Sequence, residues 1–151
     1  MSDHEKSEVD LSSEEVARLK KLLEVEAIKE LRLNYNFFMD LRDLESLMNV
    51  FTENALCEYG PYGSWRGKEE ILRNYQDVFT GELEPPFSSF HPNANHRVNL
   101  IAHDLAEGQV YLMDFVTHVS KDQNPLLWLA LYDEEYRKVE GNWKISRTSL
   151  Q

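Results

Sequence analysis

Apolar residues recur at three- and four-residue intervals through the first half of the chain and run as extended β-branched and aromatic stretches through the second. Val16, Leu19 and Leu23, followed by Ile28, Leu31, Tyr35 and Phe38, fit a helical stripe, and Ser12 or Ser13 with Glu15 fits its start. The spacing predicts a helix over about 13–39 and a second, short helix through Leu44, Leu47, Met48 and Phe51. Residues 55–59 read as a strand, and Gly60, Pro61 and Gly63 as a turn. After Gly67, a third helix carries Ile71, Leu72, Tyr75, Val78 and Phe79 inward and is ended by Gly81 with Pro85 and Pro86. Four strands are predicted over 89–102, 106–121, 126–139 and 143–150, joined by short turns that imply antiparallel pairing. Helices first and a meander after predict an α+β domain, a cone-shaped barrel with the helices packed against a highly curved, mostly antiparallel sheet. Such a cone leaves an apolar pocket for a small molecule.

Length and charge narrow the classes. The 151 residues suit one domain, here 12–151 behind a polar leader at 1–11. Lys and Arg number 16 against 27 Asp and Glu, a net charge of -11, which repels phosphate backbones and anionic lipid. No nucleic-acid or membrane partner is expected. The absence of a run of roughly 20 apolar residues, and a start (MSDHEKSEVD) unlike a signal peptide, give a cytoplasmic expectation. The one cysteine, Cys57, excludes an internal disulfide and reads as strand packing.

Candidate chemistry begins on the first helix. Tyr35 lies on the apolar stripe, so its hydroxyl points inward. Asp40 has two readings: a cap of the second helix, a role Asp43 fits equally well, or an acid of a site. Five positions put Tyr35 and Asp40 roughly 140° apart on a straight helix, so they converge only if the helix ends or bends near Met39. Further on, His91, Asn93, Asn95, Arg97 and Asn99 share one strand parity, and His96 shares the other with Val98 and Leu100. Simple alternation makes His96 the inward histidine, whereas a bulge or a kink at Pro92 restores His91. His103 and His118 complete no compact ligand cluster, and no metal is expected.

Four stretches, LNYNFFMDLRDLESLMNVFTENA, SWRGKEEI, HPNANHRVNL and GNWKISR, resemble in content and order the nuclear transport factor 2-like superfamily. Within it they resemble the SnoaL-like branch that includes polyketide cyclases, scytalone dehydratase, bile-acid dehydratase and hexachlorocyclohexane dehydrochlorinase. The resemblance spans residues 22–150 and implies a site built from Tyr35, Asp40, His91 with Asn95, and Arg147. It favours His91 over His96.

The implied activity is a cofactor-independent lyase or isomerase, with dehydratase-like elimination on a hydrophobic polycyclic or aromatic molecule. Neutral His91 would take a proton, Asp40 would fix its tautomer, and Tyr35 and Arg147 would meet developing negative charge. Tyr59, Phe115 and Trp128 are the expected pocket aromatics. No cofactor is expected, and the resemblance implies a homo-oligomer, dimer or trimer. Two alternatives stay open: a non-catalytic binding or assembly module, and a small subunit of a ring-hydroxylating oxygenase. Tyr35 as a core tyrosine and Arg147 as a surface ion pair are the corresponding readings of single residues.

Overall fold

The computed structural model describes residues 10–80, 89–117, 122 and 124–151. The leader up to residue 9, the predicted helix stop at Gly81, Pro85 and Pro86, and His118 lie outside the described residues. Helix α1 covers Ser13–Leu41, opened by a capping box in which Ser12 and Glu15 bond each other's backbone N–H. It ends at Arg42, whose left-handed φ of 57° turns the chain, and the Asp43 N–H closes back on the Phe38 carbonyl at 2.9 Å. Asp43 then caps α2, Leu44–Asn49, by accepting from the Ser46 N–H. Helix α2 stops two residues short of the expected Phe51, because Phe51 already pairs with Ile145 as the first residue of β1, Phe51–Glu58.

A 3-10 turn at Gly60–Tyr62 leads to β2, Ser64–Arg66, and α3, Lys68–Thr80. The remaining strands are β3, Ser89–Phe90; β4, Asn93–Leu100; β5, Leu105–Val116; β6, Leu126–Val139; and β7, Asn142–Leu150. Their order is β2-β1-β7-β6-β5-β3, with β4 also on β5. All pairs are antiparallel except β1 with β7. The result is an α+β cone in which the helices pack against a curled mixed sheet that does not close.

Ile28, Leu47, Phe51, Ala55, Cys57, Ile71, Val110, Tyr136 and Ile145 are essentially sealed between helices and sheet. Each large apolar side chain there contributes about 1.5–3 kcal/mol by leaving water. Burial pushes the Cys57 thiol up to about 12, so it is an inert packing group. Glu24 fastens α1 to the sheet by accepting from Lys138 Nζ at 2.7 Å and Trp143 Nε1 at 2.6 Å. No described helix is long and apolar enough to cross a membrane.

Candidate functional site

Helix α1 runs unbroken past Met39, so Tyr35 and Asp40 stay on different sides of it. The side chains that align are Arg32, Asn36 and Asp40, four residues and about 6 Å apart along the axis. Because Asp43 takes the capping role, Asp40 is left to reach across to the strand entry before β4.

There it meets His91. Asp40 Oδ1 lies 2.5 Å from His91 Nδ1, and Oδ2 accepts from the His91 backbone N–H at 3.3 Å. Asn36 Nδ2 donates to the His91 carbonyl at 2.7 Å, so two members of the α1 row hold this residue. A carboxylate only accepts, which assigns the Nδ1 proton and leaves Nε2 for chemistry. Asp114 Oδ1, on the inner face of β5, sits 3.7 Å from Nε2, beyond hydrogen-bond reach. The His91, Asp40 and Asp114 side chains keep 10%, 22% and 18% of their surface, so the group is sheltered yet open to solvent. Trp128 lies directly across from Asp114 on β6, on the same inner face and half exposed.

Both histidines face inward because β4 changes phase. Its pairing with β5 slips between Ala94 and Arg97, and Asn95 takes a left-handed φ of 54°. Ahead of the slip Asn93 pairs with inward Leu112, and beyond it Val98 and Leu100 pair with inward Gly108 and Ala106. His96 Nε2 lies 3.1 Å from the Tyr136 hydroxyl, which donates to Glu134 Oε2 at 2.5 Å. Thr148 Oγ1 donates to the other Glu134 oxygen at 2.8 Å, and Arg32 Nη1 is 3.4 Å from it. Burial, then the positive charges of Arg32 and Lys29, hold His96 down to about 4, so it is neutral at pH 7. Gly108 makes room for this: a Cβ there would stand 2.9 Å from a Tyr136 ring carbon and from the Arg97 carbonyl.

The other expected site residues divide. Tyr35, Tyr59 and Tyr75 are buried with their hydroxyls bonded in a closed ring, at 3.0, 2.7 and 2.7 Å. Burial raises the phenols of Tyr59 and Tyr75 well above 10. Tyr35 and Tyr59 are thus inside the cone but bonded to each other rather than to His91. Arg147 is on the outer face of β7, opposite buried Thr148, where it pairs with Glu58 at 2.8 Å and Asp133 at 3.4 Å. Its expected inward role is corrected by that register. Asn95, on the bulge, is exposed, and Phe115 faces outward against Phe90, their ring centroids 6.2 Å apart. Strand parity removes Phe115 from the pocket, while Asn95 borders the groove between α1 and β4.

Arg32, Asn36, Glu134 and Asp114 were not anticipated. Arg32 is 1% exposed, with its guanidinium carbon 4.1 Å from the Tyr35 ring centroid and 3.8 Å from that of Tyr132. The signal available was the four-residue spacing from Ile28 through Arg32 and Asn36 to Asp40, which places polar groups on a buried flank. Among the described residues no group of three His, Cys, Asp or Glu is arranged to hold a metal ion.

The arrangement has relatives. An uncharacterized protein of Mycobacterium tuberculosis is 24% identical over 139 residues, 92% of this chain and 90% of its own. A scytalone dehydratase-like protein of Novosphingobium aromaticivorans superposes with a TM-score of 0.75 at 21% identity, covering 87% of this chain and 85% of that one. Hexachlorocyclohexane dehydrochlorinase LinA-type3 of Novosphingobium barchaimii gives a TM-score of 0.73 at 21% identity, covering 89% of each chain. At such identities the structural likeness is one of fold. The family profile described as SnoaL-like domain matches residues 20–149, nearly the whole folded region including the α1 row and all seven strands, and the chain belongs to that family.

Proposed function

We propose that the protein is a cofactor-independent lyase or isomerase acting on a mostly apolar, hydroxylated ketone, with His91 as the proton-transfer group and Asp40 as its orienting partner. The observation that carries this reading is the 2.5 Å contact from Asp40 to His91 Nδ1, in a group that still touches solvent. Nε2 removes a proton from the carbon beside a carbonyl, and the C–H electron pair becomes the new C=C bond as the neighbouring C–O bond breaks. The departing hydroxide takes the proton back from the imidazolium and leaves as water. Returning that proton to a different carbon instead gives isomerisation with the same parts.

Asp40 stabilises the imidazolium formed in the first half of this cycle. Trp128 supplies an apolar wall at the mouth. The family's dehydratase and dehydrochlorinase fold relatives support elimination as the reaction class. Screening hydroxylated polycyclic ketones for loss of water tests the reading. His91→Ala should fold normally and lose roughly 10² to 10⁴ in rate, and Asp40→Asn should lose less because the base itself remains. Unchanged turnover in His91→Ala would sink it.

A non-catalytic binding module has one observation in its favour, the closed ring of three tyrosine hydroxyls, which leaves none of those hydroxyls free to donate at rest. Ligand binding retained in a His91→Gln, Asp40→Asn double variant, with no product from any bound compound, would select that reading. We also propose self-association through the outer face of β5 and β6, where Tyr111, Leu127 and Leu129 are exposed beside Phe90. A monomer by light scattering would dismiss it.

A further inference from the structure

Arg32 carries the strongest unmet chemistry among the described residues. None of its three side-chain nitrogens makes a well-directed hydrogen bond, although all are buried, and the Tyr132 phenol lies near enough only for a poorly directed one. Glu134 balances its charge from 3.4 Å, but the two Glu134 oxygens already accept from Tyr136 and Thr148. Rings of Tyr35 and Tyr132 lie against the guanidinium at 4.1 and 3.8 Å from its carbon, at 72° to each other, and its N–H donors point outward in its own plane, so a further partner meets it at the edge. A desolvated guanidinium with unused donors is costly, and the cost is relieved by an oxygen acceptor.

A route to that edge exists. Between α1 and β4 lies a groove of about 400 Å³ lined by Lys29, Arg32, Leu33, Asn93, His96 and Val110. Lys29 is tied to exposed Glu26 by a surface pair at 2.9 Å, the kind of contact that yields at little cost, so it serves as a movable cover. The groove lies on the same α1 row as Asp40, two helical steps of four residues away.

We propose that this groove is a binding subsite for a planar apolar molecule bearing an uncharged oxygen acceptor, a ketone or ester carbonyl, received by the edge of Arg32. The acceptor is uncharged because Arg32 and Glu134 already sum to zero and His96 is neutral, so a carboxylate would bury an unbalanced negative charge in a chain of net charge -11. Assigning the ligand as the substrate of the His91 site rests on the reading above; the binding itself does not.

The test uses three probes of one shape: methyl naphthyl ketone, isopropenyl naphthalene and naphthoate. Calorimetric titration of the full chain should show the ketone binding roughly tenfold or more tighter than the hydrocarbon, the worth of a hydrogen bond to a charged donor. The Arg32 Nε–Hε resonance, assigned by its loss in Arg32→Lys, should move with the ketone alone. The Arg32→Met, Glu134→Gln double variant, which leaves no orphaned charge, should bind ketone and hydrocarbon alike. Equal affinities in the wild type with a static Arg32 signal, no ketone binding up to solubility, or naphthoate binding best would each overturn the proposal. His91→Ala should retain ketone binding, so failure of the subsite and failure of the catalytic reading are separate results.

Discussion

The two ends of the α1 polar row, Arg32 and Asp40, are built from similar materials and treated oppositely. At Arg32 the carboxylate and phenol partners are sealed, with Glu134 at 3% and Tyr136 at 0% exposure, while His96 is half-buried. At Asp40 the histidine and both carboxylates keep contact with water. Burial locks the first set into single protonation states through the neutral range, since it raises the Tyr132 and Tyr136 phenols well above 10 and holds His96 near 4. A base must change state at working pH, and a structural pair must not. Solvent access at the carboxylates, more than residue type, separates the two ends.

That contrast can be broken most sharply at Glu134. Glu134→Ala should cost about 3–5 kcal/mol in urea unfolding, because it strands the Arg32 charge and removes an acceptor from Tyr136 and Thr148. A loss below about 1 kcal/mol would mean that the deep end is not structural. Acid provides a milder probe. His96 has a folded pKa of about 4 against an ordinary 6.5, so between those values the unfolded chain binds a proton that the folded chain refuses. Its contribution is complete above pH 6.5 and is lost as pH falls toward 4, and His96→Gln should flatten the fall in melting temperature over that window. Smallest of all is the outer face: Arg147→Ala, although it breaks two ion pairs, should change stability by less than about 1 kcal/mol because its side chain is 39% exposed.

The elements with strong periodicity were legible in the sequence. Helix α1 ends two residues beyond the expected stop and α2 two residues before its own, the second difference arising because Phe51 gains a β7 partner that local propensity does not contain. Of the site, spacing alone favoured a cap for Asp40 and alternation favoured His96; only the resemblance pointed to Asp40 with His91, which lie 2.5 Å apart, and turnover must decide whether they form a catalytic pair. Arg147 was misplaced because inward or outward facing at the last strand depends on a register shift between Ile145 and Arg147 that only pairing reveals. Arg32 was passed over because an arginine in a helix is ordinarily solvated; its burial follows from Tyr35, Tyr132 and Glu134, the last two contributed by a strand a hundred residues downstream.

The slip at Asn95 gives β4 an unusual arithmetic. A strand normally reads its residues onto two tracks, odd on one side and even on the other, and the extra residue makes the tracks trade places midway. Length is therefore information here: removing one residue would restore uniform alternation and force the strand to choose which histidine to keep inside. As it stands, β4 with its entry turns residues of both tracks to the interior, His91 and Asn93 ahead of the slip and His96 and Val98 beyond it.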